Sequence, residues 1–383
     1  MTQILEKYIA AMVLHSLGDT IGFKNGEWEF NYFKDIEVNE DAALEILYEF
    51  IYLGGINGIN LKDWYASDDT YYHHAIAKSL IISDCSKKDF YKIVKECMVD
   101  MTEKMEQKLY ETNINKQAGI ITIDYVIMFK QDINGKDGRT MPYNKMAGGS
   151  GCAMRTICIG MAYFGEENRN KLIEVALETS RLTHNSPIGY LGGLVVALFS
   201  AYAIEGIDIN QWPFLMMDIL KSEKITSYLK IQEEKNDYEI FMKFWRRYLD
   251  IRFKNNIAIK SKVNTNLLYR TYYYNSKLVR DDDDDFKFEV AGSSGFSAGI
   301  VAYDCLIDAG DKWEKLVIYS MLHIGDSDTT GCIAAGLYGL LYGFGDVPKN
   351  NMKYLELKKQ SEKFGELLFK KYYLRENIEK YIE

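Results

Sequence analysis

The sequence lacks the features that mark disulfide-rich, zinc-binding, secreted or membrane-spanning proteins. Its six cysteines are scattered without a Cys-x-x-Cys pair, which predicts reduced thiols that pack as small apolar groups and argues against a zinc site. The first residues contain no basic segment followed by an apolar run, and no unbroken apolar stretch reaches about 18 residues, the length of a membrane span. We therefore expect a cytoplasmic protein without a membrane partner.

An excess of basic residues is also absent. The 46 Lys and Arg residues are outnumbered by 55 Asp and Glu residues, and no basic stripe is present that could follow a nucleic-acid backbone. Nucleic acid is therefore not an expected partner. The 383 residues, 47% of them apolar, are enough to bury a large core. Since neither a linker-like segment nor an internal repeat interrupts the chain, we predict one domain over residues 1–383, and a monomer.

Proline is scarce as well, with only four in the chain, and apolar residues three and four apart dominate most long segments. This pattern predicts an all-α protein. The predicted helices are Glu6–Leu17, Asp41–Tyr52, Tyr71–Ser83, Asp89–Leu109, Arg169–Leu182, Leu191–Ile204, Phe241–Phe253, Ile300–Ala309, Lys312–His323 and Met352–Phe369. Strand-like alternation is confined to short pieces such as Tyr269–Tyr274. The segment Ile207–Lys287 is less regular, with a polar run at Glu233–Asp237 and an acidic tract, Asp281–Asp285, that we interpret as a solvated loop.

Two short acidic clusters stand near the two ends of the chain, Ser67–Thr70 and Asp326–Thr330. Carboxylates crowded into one pocket repel each other and raise each other's pKa unless a hard cation keeps them ionised. The clusters therefore predict one metal site assembled from both ends of the chain. Asp, Ser and Thr are also preferred N-cap residues, and an apolar helical pattern follows each cluster, so helix capping is an alternative compatible with metal binding.

Glycine is concentrated in a few places, which are Gly18 and Gly22, the two Gly/Ser loops Gly148–Gly151 and Gly292–Gly295, and Gly325 with Gly331. Glycine allows a ligand to approach the backbone closely, and amides at the start of a helix can bind anions. These loops are candidate phosphate contacts. The alternative is that each is a simple turn that connects two helices.

Several motifs occur together and in order, among them Gly18–Gly22, Asn25–Phe30, Ser67–Thr70, Gly151–Arg155, Arg181–His184, Ile300–Asp304 and Gly325–Asp328. Through them the chain resembles the ADP-ribosylglycohydrolases, and within that family most closely the hydrolases of ADP-ribosylarginine. The resemblance covers nearly the whole chain, from Glu6 to about Tyr373. It implies a single-domain, orthogonal multi-helix bundle that holds two Mg²⁺ ions in a cleft that binds ADP-ribose.

The resemblance also implies a role for individual residues. One ion would be held by Ser67, Asp68, Asp69 and Asp328, and the other by Asp326, Asp328 and Thr329. The residues that would contact substrate are Gly149, Ser150, Gly151, His184, Ser293, Ser294 and Gly295. His184 could instead only cap the helix that follows it. The oxygen-only ligand set agrees with the preference of Mg²⁺ for hard donors.

The implied reaction hydrolyses the bond between the distal ribose and an arginine side chain of an ADP-ribosylated protein, releasing ADP-ribose. Such bonds break through an oxocarbenium-like state, which carboxylates stabilise. Asp68 and Asp69 are the leading catalytic candidates, and Glu29 is the next, although a carboxylate beside Trp28 could also be a surface group. His15, His73, His74 and Cys152 are interpreted as packing or surface residues.

The chain departs from the arginine hydrolases at two places. Phe296–Gly299 replaces a usual His-Asp-Ala-Pro, and Met146-Ala147 replaces His-Glu. These changes leave open a substrate with serine-linked ADP-ribose, or O-acetyl-ADP-ribose. A relative without catalytic activity, kept as a binding or structural module, is the alternative from another class, and the presence of all the predicted metal ligands favours the enzyme.

Overall fold

The structure is a computed structural model, and it describes residues 2–30, 40–84, 87, 89–259, 270–271, 273–274, 278 and 290–378. The α-helices in these residues are α1 (Thr2–Phe23), α2 (Glu40–Tyr52), α3 (Gly55–Gly58), α4 (Asp68–Ile82), α5 (Phe90–Thr112), α6 (Ile120–Gln131), α7 (Ile157–Ala162), α8 (Arg169–Arg181), α9 (Pro187–Glu205), α10 (Trp212–Lys221), α11 (Glu223–Thr226), α12 (Gln232–Arg252), α13 (Gly295–Ala309), α14 (Trp313–Met321), α15 (Ser327–Tyr342) and α16 (Lys358–Leu368). A two-stranded antiparallel ribbon pairs β1 (Phe253–Lys254) with β2 (Ile257–Ala258). The predicted all-α fold is confirmed.

Helix starts follow the local capping chemistry. Ser67 caps α4, where its Oγ accepts a hydrogen bond from the Asp69 amide at 3.2 Å. Ser186 caps α9, which has proline in its first turn and ends at the left-handed Gly206. Ser294 caps α13, with Ser297 completing a capping box. Capping therefore operates at the first acidic cluster and at the second Gly/Ser loop.

Some details of the predicted secondary structure are wrong. Arg270, Thr271 and Tyr273 are helical, so the strand predicted at Tyr269–Tyr274 is not formed by its described residues. The polar run Glu233–Asp237 lies in the first turns of α12, which begins at Gln232 rather than Phe241 because its buried residues recur on one face. The last predicted helix starts too early, since α16 begins at Lys358. The acidic tract Asp281–Asp285 lies outside the described residues.

Helix α9 is apolar enough, and at 19 residues long enough, to cross a membrane by those two criteria. The expectation that no segment reaches that length is therefore wrong. In the structure 94% of the apolar window of α9 is buried inside the protein, where α7, α8, α12 and α13 pack around it. Its continuous apolar surface is explained by burial on all sides.

The N-terminal and C-terminal parts of the chain meet at α1, which packs along α15 and α16. The α1–α15 contact is backbone to backbone. A Cβ atom at Gly18 would lie 2.3 Å from the Gly331 carbonyl oxygen, and one at Gly22 would lie 2.2 Å from the Ser327 carbonyl oxygen. Only glycine allows this approach, and the approach fixes the start of α15 beside the end of α1.

Candidate active site

A cavity of about 630 Å³ opens where the starts of α4, α6 and α15 meet the two Gly/Ser loops. Five carboxylates line it, from Glu29, Asp68, Asp69, Asp326 and Asp328. The other lining residues include Gln117–Thr122, Met146, Gly149–Gly151, His184, Ser293 and Thr329. Both predicted acidic clusters therefore face the same space, as a site assembled from two ends of the chain requires.

The first cluster is held in place by a buried acid of α1. Asp19 accepts hydrogen bonds from the backbone amides of Ser67 and Thr70, both at 3.0 Å, and from the Thr70 hydroxyl. These bonds tie the start of α4 to the end of α1. Asp68 and Asp69 lie in the first turn of α4 and are almost fully buried. Their position beside the helix N-terminus favours negative charge.

The second cluster is held by contacts with both neighbouring segments. Asp326 Oδ2 accepts a hydrogen bond from the Ser150 hydroxyl at 2.8 Å, which joins the cluster to the first Gly/Ser loop. The Ser327 hydroxyl donates to the Gly22 carbonyl at 2.8 Å, which joins it to α1. Asp328 accepts from the amide of Thr329 at 2.8 Å. Each of the two carboxylates is thereby oriented by a hydrogen bond.

Glu29 is an interior residue of this site and not a surface group. It is 4% exposed, and its Oε2 has no hydrogen-bond partner among the described residues. The next residue, Phe30, has a φ of 47° and donates its amide to the Gly325 carbonyl at 3.0 Å, which holds the segment against the second cluster. One carboxylate oxygen each from Glu29, Asp326 and Asp328 lie within 4.8 Å of one another.

The electrostatics of the cavity call for an outside cation. Burial, followed by the nearby carboxylates, raises the pKa of Glu29, Asp68, Asp69 and Asp328 well above their usual values. No Lys or Arg occurs among the described residues that line the cavity. An all-oxygen donor set with an unpartnered buried oxygen and no internal counterion fits a hard divalent cation. These residues could hold a metal ion.

The two Gly/Ser loops bind each other. Gly149 and Ser294 form an antiparallel bridge, the Ser150 amide donates to the Ser293 carbonyl at 3.1 Å, and the Gly295 amide donates to the Gly148 carbonyl at 3.1 Å. The Ser294 amide donates to the Ser297 hydroxyl. These amides are therefore used inside the protein. Gly149, Ser150, Gly151 and Ser293 line the cavity, whereas Ser294 and Gly295 are buried and do not line it.

His184 borders the first Gly/Ser loop. A Cβ atom at Gly151 would lie 2.7 Å from His184 Cε1, whereas one at Gly149 would meet His184 Nε2 at an ordinary 3.5 Å. Burial and the charge of Arg155 lower the pKa of His184 to about 3, so the imidazole is neutral. The alternative that His184 only caps the following helix is wrong, because Ser186 is the N-cap of α9 and His184 lines the cavity.

The structure adds residues that the sequence patterns did not single out. Asp19 lies within the Gly18–Gly22 motif, and an acid in an otherwise apolar helix was the available signal. The Cys332 thiol donates to Asp69 Oδ2 at 3.3 Å. Gln117–Thr122 forms one wall of the cavity, and no local motif marks it. Ser67 is a predicted metal ligand that does not line the cavity, and its Oγ accepts from the Asp69 amide.

The departures from the family pattern separate into two kinds. Phe296 is fully buried and stacks on Phe244 with ring centroids 4.2 Å apart, and Ser297 belongs to the cap of α13. Met146 is 74% exposed and lies on the cavity lining. Met146 is therefore the departing residue that can meet a ligand.

A family model described as ADP-ribosylglycohydrolase matches residues 1–378 of the chain. The chain belongs to the ADP-ribosylglycohydrolase family. It is 34% identical to ADP-ribosylhydrolase ARH1 of Dictyostelium discoideum, over 91% of this chain and 90% of that protein. It is 23% identical to human ADP-ribosylhydrolase ARH3, over 75% of this chain and 73% of that protein.

The fold has a solved counterpart. A structure described as an ADP-ribosylglycohydrolase-related protein complex superimposes with a TM-score of 0.55 at 15% identity, covering 97% of this chain and 99% of that one. At that identity the likeness concerns the fold alone. The family membership and the ARH1 relative make this chain a hydrolase of ADP-ribose glycosidic bonds, as the sequence predicts.

Proposed function

We propose that this protein is a Mg²⁺-dependent hydrolase that removes ADP-ribose from arginine side chains of ADP-ribosylated proteins. The observation that carries the proposal is the set of five carboxylates that line one cavity beside paired Gly/Ser loops, with no Lys or Arg among the described lining residues. Carboxylates stabilise the positive charge that develops on the ribose when a glycosidic bond breaks. Phosphates carry negative charge as the carboxylates do, so a pyrophosphate ligand requires the charge of the cavity to be neutralised first.

Two Mg²⁺ ions fit this requirement, with Asp68, Asp69 and Asp328 at one and Asp326, Asp328 and Thr329 at the other. When bound, they would supply the countercharge of the cluster and polarise oxygen atoms of water or ribose. Glu29 lies within 4.8 Å of Asp326 and Asp328 and could add a ligand to either ion. Ser67 is proposed to act by capping α4 and orienting Asp69.

The carboxylates differ in how much of their hydrogen-bonding capacity is free. Asp69 Oδ2 accepts from the Cys332 thiol, and Asp326 Oδ2 accepts from Ser150, so each has one oxygen engaged. Glu29 Oε2 has no partner within the described part of the chain. We propose that Asp68 or Asp69 takes the proton of the attacking water, and that Glu29 accepts a hydrogen bond from a substrate hydroxyl.

The arginine linkage is proposed from the sequence resemblance and from the charge of the site. A departing guanidino group becomes cationic when it takes up a proton, and a carboxylate-lined cavity with no Lys or Arg among its described lining residues favours that product over an anionic one. The runner-up substrates carry serine-linked ADP-ribose or O-acetyl-ADP-ribose. They are favoured by Met146, an apolar residue on the cavity lining where the arginine hydrolases carry a polar one.

The test compares arginine-linked and serine-linked ADP-ribosyl peptides and O-acetyl-ADP-ribose, with Mg²⁺ and with chelator. We expect release of ADP-ribose from the arginine-linked peptide at least about tenfold faster than from the other two, complete loss with chelator, and recovery when Mg²⁺ is restored. Preference for a serine-linked peptide would replace the arginine assignment. Binding of ADP-ribose without turnover of any substrate would make the protein a binding module.

A further inference from the structure

The two nitrogen atoms of the His184 ring face different surroundings. Nε2 faces the cavity, where it lies 2.9 Å from the position that a Cβ at Gly151 would take. Nδ1 lies 2.8 Å from the Thr183 hydroxyl, inside the protein. A neutral imidazole carries its proton on one nitrogen only, so the bond at Nδ1 decides whether Nε2 donates or accepts a hydrogen bond.

The Thr183 hydroxyl is itself fixed by Arg155. Arg155 Nη2 donates to Thr183 Oγ1 at 2.8 Å and also contacts the Thr179 carbonyl at 3.2 Å. Because a guanidinium only donates, the Thr183 oxygen accepts in this bond and keeps its own proton to give. Arg155 and Thr183 are both fully buried, so water does not compete for either group.

Two groups near Thr183 could receive that proton, His184 Nδ1 and the Cys152 sulfur. A thiol sulfur is a weak acceptor, and Cys152 Sγ already accepts a hydrogen bond from Arg155 Nη2 at 3.8 Å. The imidazole nitrogen is the stronger acceptor. Donation from Thr183 to Nδ1 places the imidazole proton on Nε2.

We propose that Thr183, oriented by Arg155, is a positioning residue that fixes His184 in its Nε2–H tautomer, so that the ring presents a neutral hydrogen-bond donor to a phosphate oxygen of the ligand. The proposal deepens the proposed function and rests on ADP-ribose as the ligand. It explains how an anionic group is received beside Gly149–Gly151, where no Lys or Arg occurs among the described lining residues and the Ser150 amide is already engaged.

The arrangement also explains why Arg155 is buried instead of lining the cavity. Its positive charge partly offsets the raised pKa of Asp68 and, after burial, contributes to the lowered pKa of His184, while its guanidinium bonds Thr183 and is not among the described residues that line the cavity. A charged donor at His184 would instead compete with the cations that the carboxylates are proposed to bind. The chain of hydrogen bonds from Arg155 through Thr183 to His184, here called the relay, gives the cavity a hydrogen-bond donor without adding a charge to its surface.

The experiment uses Thr183→Val, which has nearly the same shape without a hydroxyl, and Thr183→Ser, which keeps the hydroxyl. The tautomer of His184 is read from ¹⁵N–¹H correlation spectra of histidine-labelled protein, with His184→Gln assigning the signal. The affinity for ADP-ribose is measured by calorimetry in Mg²⁺. We expect the Nε2–H tautomer in the natural protein and in Thr183→Ser, with binding within about twofold of each other.

In Thr183→Val we expect a mixture of tautomers and about tenfold weaker binding of ADP-ribose, equivalent to about 1.4 kcal/mol. A natural protein with the proton on Nδ1, or a Thr183→Val variant with unchanged tautomer and affinity, would overturn the proposal. Should the valine variant not fold, Thr183→Ala provides the same comparison. If the natural protein does not bind ADP-ribose, the proposed function fails, while the tautomer measurement still decides the relay.

Discussion

Two buried clusters of charge in this protein show opposite solutions to the same physical problem. In the first, two arginines and two aspartates neutralise each other: Arg252 bonds Asp304 at 2.6 Å and Asp308 at 2.7 Å, and Arg270 pairs with the same two acids. In the second, five carboxylates line one cavity whose described lining residues include no Lys or Arg. Burying charge is costly unless it is paired, so the first cluster is complete as it stands and the second is complete only with a ligand.

The difference separates structure from function. Asp304 is fully buried and also accepts a hydrogen bond from the Tyr248 hydroxyl at 3.0 Å. Its role is therefore structural, since it pairs with the buried donors around it. In the cavity, burial and then the neighbouring carboxylates raise the pKa of Asp68 and Asp69, and no Lys or Arg occurs among the described lining residues to offset this. Carboxyl groups with strongly perturbed pKa values are typical of functional sites, where a reaction or a ligand makes use of them. Two substitutions and one change of pH test this difference between the two clusters.

The largest expected effect is on catalysis, from Asp328→Asn. This change removes a carboxylate proposed to serve both ions, so we expect hydrolysis to fall by at least about 10²-fold and Mg²⁺ to lose its stabilising effect. The metal-free protein should be as stable as the natural one or more stable, because one repelling charge is gone. Activity assays and thermal unfolding in chelator measure both. Asp250→Asn, at an exposed acid of α12, is the matched control, and a collapse of the metal-free fold in Asp328→Asn would make Asp328 structural.

The second effect is on stability, from Asp304→Asn. The change leaves Arg252 and Arg270 buried with one carboxylate between them, and breaking a buried pair in this way costs about 3–5 kcal/mol. We expect this loss in denaturant unfolding both with and without Mg²⁺, and little change in turnover per folded molecule. Dependence of the loss on Mg²⁺ would show that the two clusters are coupled.

The smallest effect is a pH dependence of the metal-free protein. A carboxyl group whose folded pKa is raised stabilises the fold below its unfolded pKa near 4, and this contribution is lost as the pH rises through the folded pKa. Burial lowers the pKa of all five histidines, and this acts in the opposite direction, but only below about pH 6.5. Between about pH 6.5 and 8, we therefore expect the Tm in chelator to fall as the pH rises.

Saturating Mg²⁺ should abolish that slope, so the increase in Tm on adding Mg²⁺ should be larger at the upper end of this range. Differential scanning fluorimetry at several pH values, in chelator and in Mg²⁺, measures both slopes. The Asp328→Asn variant should show a shallower slope in chelator. A metal-free Tm that stays level or rises over this range would contradict the account of the cluster.

The sequence predicted what depends on local chemistry. Apolar periodicity predicted the all-α class, and Ser67 and the acids around it indicated both a cap and a site. It did not reveal Gln117–Thr122, because that wall of the cavity is created only when α6 packs against α5, which in turn packs against α4. The relay from Arg155 through Thr183 to His184 was not predicted either. Arg155 lies 28 residues before Thr183 in the sequence, so their contact forms only when the chain folds. The polar start of α12 was misread because its apolar face is set by tertiary packing.

The backbone contact between α1 and α15 has a consequence for the order in which the protein is made. Asp68 and Asp69 emerge from the ribosome early, and Asp326 and Asp328 emerge near the other end of the chain. At about 5–20 residues per second the interval is of the order of tens of seconds. During that time α1 has no α15 against which to place Gly18 and Gly22, and the first acids have no opposing set with which to share a cation. A chain terminated before Asp326 therefore lacks two of the five carboxylates of the cavity, however well its remaining helices fold.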